Sequence, residues 1–162
     1  INTVYNGGSS TILVLDNGTT AMTGHQDHPG TGVTATGERG RKVDIEAVCR
    51  AVGVERVRKV DPYDIAALEA ALEEELGADE PSVIICEAVC RLVDRTPIAP
   101  SVRLEIECPG CGTCFELGCP AIDDHDGVAV IDAEVCCGCG LCVQVCPFCG
   151  LRIEGHETAG VP

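Results

Sequence analysis

The sequence predicts two units: an α/β unit over residues 1–96, then a small α+β unit over residues 97–162 organised by cysteine. Three observations lead there. Short apolar runs alternate with amphipathic helical segments through the first hundred or so residues, the pattern of a mostly parallel sheet with helices outside. Thr96-Pro97-Ile98-Ala99-Pro100 then marks a change of character and reads as a linker. Beyond it, eight of the 13 cysteines fall into two consecutive sets that start 28 residues apart (108 to 136), an internal duplication of one small unit.

Each element has a local reason. Thr11 to Leu15 is almost wholly apolar, as a strand covered on both faces is, and it stops at the turn tripeptide Asp16-Asn17-Gly18. From there to Gly40, a glycine- and threonine-rich stretch with His25, Asp27, His28 and Pro29 shows no periodicity. Long loops of this kind in compact domains are often binding loops. Asp44 caps a helix running to about Ala51, with Ile45, Val48 and Cys49 on one face. Glu55 to Val60 reads as a strand and Asp61-Pro62 as a turn. Asp64 to Leu76 carries Ile65, Leu68, Leu72 and Leu76 at helical spacing and ends at Gly77. Ser82 to Ile85 is a further buried strand. After the linker, Val102 to Glu107 alternates apolar and acidic residues like an exposed edge strand, and Val128 to Ile131 lies between the cysteine sets.

The first set is Cys108, Cys111, Cys114 and Cys119, followed by Pro120; the second is Cys136, Cys139, Cys142 and Cys146, followed by Pro147. The spacings are C-x2-C-x2-C-x4-C-P and C-x2-C-x2-C-x3-C-P. A cubane 4Fe–4S cluster takes three thiolates from one tight loop and a fourth from a distant point, which in two-cluster ferredoxins is the last cysteine of the other set. The expected ligand sets are therefore Cys108, Cys111, Cys114 and Cys146, and Cys136, Cys139, Cys142 and Cys119. Zinc is the competing metal, but a structural zinc site takes two C-x2-C pairs separated by a longer loop, not three cysteines in a run. The extra residue before Cys119 loosens the geometry there while leaving it a ligand. Of the other cysteines, Cys49, Cys86 and Cys90 read as small buried hydrophobes. Cys137 is set aside because choosing it over Cys136 breaks the spacing to Cys139, and Cys149 has no assigned role. A unit this small buries little apolar surface, so its clusters are expected to act as staples as well as electron carriers.

The formal net charge of −15 is spread over both units. Only Arg103 and Arg152 face 10 acidic residues beyond position 100. An acidic shell opposes adding an electron and favours a low reduction potential. No basic stripe exists to neutralise phosphates, so nucleic acid is not an expected partner. No apolar run reaches the length of a membrane span, and the cytoplasm is the expected location. The chain opens at Ile1 and reads as a fragment whose beginning is missing.

In the first unit, Asp16, Asn17 and the backbone of Thr19 stand where a strand of an open α/β sheet ends, where ligands bind, and offer oxygens that suit magnesium. An Asx-turn that merely caps the strand is the equal alternative. His25 and His28 are loop histidines that serve either a site or only the loop's polarity.

The motifs Val4-Tyr5-Asn6-Gly7, Leu15-Asp16-Asn17-Gly18-Thr19-Thr20-Ala21-Met22-Thr23-Gly24-His25-Gln26 and His28-Pro29-Gly30-Thr31-Gly32 resemble the alpha subunit of indolepyruvate ferredoxin oxidoreductases. The resemblance continues through Val60-Asp61-Pro62-Tyr63-Asp64, Pro81 to Ile85 and Cys90, and ends in Gly138 to Phe148. It covers essentially the whole chain. It implies the C-terminal part of a thiamine diphosphate-binding domain followed by a two-cluster ferredoxin-like domain. By resemblance, Asn17 binds Mg2+ through its side chain and Thr19 through its carbonyl, and Asp16, His25 and Gln26 join them as cofactor-binding residues. The family's upstream Gly-Asp would lie before Ile1, and Cys86-Glu87-Ala88-Val89-Cys90 departs from the family's Arg-x-Pro-Cys stretch. The implied reaction is oxidative decarboxylation of an aryl 2-oxoacid with coenzyme A as acyl acceptor and ferredoxin as electron acceptor, alongside a beta subunit. No catalytic residue is assigned. Phe115 and Phe148 are expected to pack beside the clusters. Two rivals stand beside this reading: a non-catalytic iron–sulfur electron-transfer subunit, and a related oxidoreductase for pyruvate, 2-oxoglutarate or a branched-chain 2-oxoacid.

Overall fold

The computed structural model describes residues 1–94, 96, 102–104, 107–148 and 150–153. The proline-rich linker from residue 97 to 100, the middle of the expected Val102–Glu107 strand and Cys149 lie outside the described residues. The chain divides into two compact units, Ile1–Asp94 and Arg95–Pro162.

In the first unit a short helix α1 (Asn2–Tyr5) precedes strand β1 (Thr11–Asp16), and a 3-10 turn over Ala21–Thr23 breaks the long loop that follows. Helix α2 (Ile45–Ala51), strand β2 (Arg56–Val60), helix α3 (Ile65–Leu76) and strand β3 (Ser82–Glu87) complete it. Asp44 accepts the Ala47 backbone N–H at 3.2 Å and Asp64 that of Ala67 at 3.0 Å, so both helices start on the aspartates that the sequence marks as caps. The sheet is three-stranded, wholly parallel, in the order β1-β3-β2, with Leu13 and Arg58 flanking Ile84 in register.

β3 alone has a strand on each side, and its alternating side chains supply two cores. Val83 and Ile85 pack with Val54 and Val57 on one face, joined by Ile45, Cys49 and Val14. Ile84 and Cys86 pack with Ala71 on the other, joined by Leu68, Leu72 and Val60. Ile84 and Ile85 are 0% and 1% exposed, each burial contributing about 1.5–3 kcal/mol before entropy is counted.

Several expectations change here, among them Val48 of α2, which is exposed and not on the buried face with Ile45 and Cys49. β1 has the apolar composition of a doubly covered strand, yet it is an edge strand with Ile12, Leu13 and Leu15 exposed. A three-stranded sheet has only one central position, and β3 takes it. In α3 the apolar spacing places Leu76 on the buried face, but Leu76 is exposed and Glu75 is buried instead. Arg56 and Arg58 reach across from β2 to satisfy its carboxylate, which makes that burial tolerable. Gly77 follows the helix with an ordinary right-handed φ of −81°, not the left-handed one of a glycine C-cap.

The second unit is α+β. β4 (Val102–Leu104) pairs antiparallel with a C-terminal strand, β7 (Leu151–Ile153). Between them come a 3-10 segment (Thr113–Leu117), a hairpin of β5 (Ile122–His125) and β6 (Val128–Ile131), and a short helix α4 (Leu141–Val145). Asp126 and Gly127 both have positive φ, 54° and 86°, as a two-residue hairpin turn of the twisted kind requires. Val102 is not the exposed edge residue expected of its strand; it is buried with Cys114, Ala129, Cys142 and Leu151 in the unit's core.

Candidate functional site

The two cysteine loops are built alike at the backbone. Gly110 and Gly112 flank Cys111, Gly138 and Gly140 flank Cys139, and their φ angles of 73°, 79°, 69° and 75° are all left-handed. Side-chain-bearing residues resist that region, so glycine is what lets each loop turn back on itself and aim three thiols inward. A Cβ on Gly110 would lie 3.1 Å from the Gly127 carbonyl oxygen, so the first loop also rests directly on the turn between β5 and β6. In the second loop the Gly138 N–H donates to Cys136 Sγ at 3.4 Å.

The thiols gather across the duplication. Cys108, Cys111, Cys114 and Cys146 line one cavity, together with Phe115, Phe148 and Leu151. Burial pushes the Cys114 thiol above its usual range, and the nearby Cys108, Cys111 and Cys146 push it further. The Cys142 thiol is pushed up to about 12, first by burial and then by Cys139, Cys136 and Cys119. Each gathering therefore combines three thiols of one loop with the fourth cysteine of the other set. Among the described residues no three of His, Cys, Asp and Glu converge tightly enough for a single metal ion. Phe115 is half-buried and Phe148 exposed on the first cavity's wall.

Not all eight thiols sit in the same surroundings. Cys111 is exposed, and a hydrogen bond with the Thr113 side chain, 3.5 Å away, holds its thiol below the ordinary range. Cys139 is half-buried, and burial first and then neighbouring Cys137 push its thiol up. Sequence spacing had left Thr113, Cys137 and the four glycines without a role. The signal for the glycines lay in their identical placement in both copies.

At the first unit's sheet, Asp16 closes β1 and its Oδ1 accepts the Gly18 N–H at 3.1 Å. Asn17 Oδ1 accepts the Thr19 N–H at 3.2 Å, so the Asx-turn is formed. The segment after β3 runs alongside, with the N–H groups of Ala88 and Cys90 donating to the carbonyls of Asp16 and Asn17, each at 3.0 Å. The Gln26 carbonyl accepts the Thr20 N–H at 2.9 Å and the Thr19 hydroxyl at 3.3 Å, and the Gln26 side chain bonds Thr23. These contacts close residues 19–26 into a small loop with His25 at a left-handed φ of 61° and exposed. A carboxylate, an amide oxygen and a main-chain carbonyl within four residues are hard oxygen donors of the kind magnesium takes. An amide oxygen has two lone pairs, so the Asx-turn leaves Asn17 able to coordinate. Asp16 also lines a crevice of about 230 Å³ with Lys42, Asp44, Lys59 and Glu87, residues to which the sequence assigned no site. Asn17, Thr19, His25 and Gln26 are not among its walls. Cys86 is buried in the sheet and its thiol is raised by that burial; Cys49 is half-buried in the opposite core, and Cys90 is half-buried beside Asn17.

A parallel sheet bearing this loop at its carboxyl edge, followed in the same chain by paired thiol loops, has counterparts among known proteins. The chain belongs to the thiamine pyrophosphate enzymes: the family model described as "Thiamine pyrophosphate enzyme, C-terminal TPP binding domain" matches residues 1–86. A second model, "4Fe-4S binding domain", matches residues 129–148, which include Cys136, Cys139, Cys142 and Cys146. The chain is similar to the protein named indolepyruvate oxidoreductase subunit IorA of Thermococcus kodakarensis, with 42% identity over 159 residues, covering 91% of this chain and 24% of that protein. It is similar to the protein of the same name from Methanothermobacter marburgensis at 39% identity, covering 97% of this chain and 26% of that one. The chain thus spans about a quarter of the length of these curated relatives. No solved structure matches it. Among the described residues, no helix is long and apolar enough to cross a membrane.

Proposed function

We propose that this chain forms the C-terminal part of a 2-oxoacid:ferredoxin oxidoreductase subunit that decarboxylates aryl 2-oxoacids such as indolepyruvate oxidatively. The products are the acyl-CoA, carbon dioxide and electrons that pass through two 4Fe–4S clusters to ferredoxin. One observation carries this reading: a thiamine-binding domain and two interleaved sets of four thiols stand in a single chain. In it, Cys108, Cys111, Cys114 and Cys146 hold one cluster, and Cys119, Cys136, Cys139 and Cys142 hold the other.

Thiamine diphosphate supplies the electron sink for the pair released as carbon dioxide leaves. The chain's own residues bind and orient it. Asn17 and Thr19 offer their oxygens to Mg2+, Asp16 fixes the turn that presents them, and Gln26 ties the far end of the loop back to Thr19 and Thr20. His25, exposed on that loop, is assigned to the cofactor side of the site. In the second unit Phe115 and Phe148 wall the first cluster and limit water there. The proposed setting is cytoplasmic, with a beta subunit completing the enzyme.

The test is a ferredoxin-reduction assay on the full-length subunit with its beta partner. Reduction dependent on both indolepyruvate and coenzyme A is the expected result. Reduction with pyruvate, 2-oxoglutarate or branched-chain acids but not with indolepyruvate overturns the substrate assignment. Intact clusters with no reduction from any 2-oxoacid overturn the enzymatic reading and favour a dedicated electron-transfer subunit.

A further inference from the structure

Between their first and third cysteines the two loops, Cys108-Pro109-Gly110-Cys111-Gly112-Thr113-Cys114 and Cys136-Cys137-Gly138-Cys139-Gly140-Leu141-Cys142, differ at two positions only. Pro109 faces Cys137 in the alignment, and Thr113 faces Leu141. Each difference puts a side-chain donor beside the middle cysteine of its own loop. The Thr113 hydroxyl lies 3.5 Å from Cys111 Sγ, and Cys137 is a near enough neighbour of Cys139 to raise its thiol. The counterparts, Pro109 and Leu141, have no side-chain donor at all. The middle ligand is thus served in both copies, from opposite sides of the loop and by different groups.

We propose that Thr113 and Cys137 set the potentials of the two clusters apart, with the cluster of Cys108, Cys111, Cys114 and Cys146 at the higher potential. The inference rests on the cluster reading above. An iron-bound thiolate has no proton to give, so in the loaded protein the hydroxyl and the thiol can only donate to it. A donor to a ligand sulfur stabilises the more negative, reduced cluster and raises its potential. A hydroxyl is a full donor and a thiol a weak one, so the first loop gains more. Exposure acts the same way: Cys111 is exposed while Cys139 is half-buried. Glu107 and Glu116 flank the first loop as Asp132 and Glu134 flank the second, while Asp124 and Asp126, in the turn beneath Gly110, act against the Thr113 donor, which the proposed order has it outweigh. Electrons entering this unit therefore come to rest on the first loop's cluster, beside exposed Cys111, from which an external one-electron acceptor is reduced.

An EPR-monitored redox titration of the cluster-loaded full-length subunit tests this without reference to turnover. The wild type shows two one-electron couples. Thr113→Val lowers the higher couple alone and Cys137→Ala the lower couple alone. Each changes the reduced-to-oxidised ratio at fixed potential by about two- to tenfold, tenfold being about 59 mV. Thr113→Ser keeps a hydroxyl in reach and retains the wild-type order, whereas Cys137→Ser exchanges a weak donor for a full one and raises the lower couple. Leu141→Thr copies the first loop's hydroxyl into the second and raises the lower couple. The proposal is overturned if Thr113→Val leaves both couples in place or moves the lower one. Should Thr113→Val fail to load, Leu141→Thr decides: an unmoved lower couple overturns the proposal. A wild type that shows no one-electron couple sinks the iron–sulfur reading itself, which is a different failure from couples that stay put.

Discussion

Glu75 is the least expected buried residue of the thiamine-binding unit, and replacing it with glutamine has a calculable consequence. It is 2% exposed near the end of α3. Its Oε2 accepts from Arg56 Nε at 2.7 Å, and its Oε1 accepts from Arg58 Nε at 2.5 Å. Its main-chain carbonyl takes the Thr11 hydroxyl at 3.0 Å, and that hydroxyl accepts from Ser82 at 3.0 Å, so the helix end is tied to all three strands. Arg56 Nη2 adds a longer bond to Oε1 at 3.3 Å, and the two short charge-assisted bonds alone amount to about 3–6 kcal/mol before screening. Arg56 and Arg58 are 28% and 40% exposed, so solvent screens them and rehydrates them once the carboxylate is gone. Glutamine also keeps one acceptor oxygen. The net loss for Glu75→Gln is about 2 kcal/mol, or roughly 4–8 °C in melting temperature for a chain of this length.

The same variant has a pH signature. Burial pushes the Glu75 carboxyl up, but the hydrogen bonds and charges of Arg56 and Arg58 outweigh it and hold the group below its ordinary value of 4.5. A depressed carboxyl contributes stability that is full above the unfolded value and is lost as pH falls through the folded one. Circular-dichroism melts of wild type and variant are thus separated at neutral pH and converge as the pH drops below about 4.5. Coincident melts at neutral pH, or a gap undiminished in acid, would falsify this account of the burial.

Other outcomes follow from the second unit and from the chain as a whole. Cys146→Ser removes the cluster of the first loop and Cys119→Ser that of the second, so iron analysis falls from about eight to about four per chain; loss from the same loop as the mutated set would refute the crossing. Gly110→Ala forces a side chain into a left-handed backbone 3.1 Å from the Gly127 carbonyl, costing about 1–2 kcal/mol, and slows reconstitution of the first cluster as followed by visible absorbance. The 162-residue polypeptide with clusters and added thiamine diphosphate does not release carbon dioxide from indolepyruvate; measurable release shows that these residues alone complete the site. Stripping iron with a chelator abolishes the dispersed amide NMR signals of residues 107–153 and leaves those of β3 and α3 in place; retained dispersion in the former means the clusters are not needed for that fold.

Legibility from sequence differed by the kind of signal. The cysteine spacings carried the iron–sulfur reading, which the 4Fe-4S family model over residues 129–148 supports, because four thiolates around a rigid cube admit few chain geometries. β3, α2 and α3 were legible from apolar runs and aspartate caps, which act locally. What failed were properties set by a neighbour far along the chain. β1 and β3 have similar compositions, and only strand order makes one central and the other an edge. Glu75 looks like a solvent-facing residue until Arg56 and Arg58, 19 and 17 positions away, are placed against it. Asn17 illustrates a third case. Its Asx-turn is present, and because the turn uses one lone pair of the amide oxygen, that conformation is compatible with a bare turn and with a cation ligand alike.

On the proposed cluster reading, the duplication in the second unit makes its folding and its loading a single event. Among the described residues its core cluster is Val102, Cys114, Ala129, Cys142 and Leu151, and Cys114 and Cys142 are third ligands of the two proposed clusters. Removing iron leaves two crowded thiols raised by each other's neighbours in a core otherwise made of Val102, Ala129 and Leu151. So little apolar surface stabilises a fold poorly without a staple. Nor is either half self-contained, because Cys119 and Cys146 each belong to the other loop's gathering. A cluster that forms in either loop pins the far end of its neighbour and lowers the entropy of closing the second site. Crossing ligands thus turns two weak half-units into one cooperative body, at the cost that damage to one loop is felt in both.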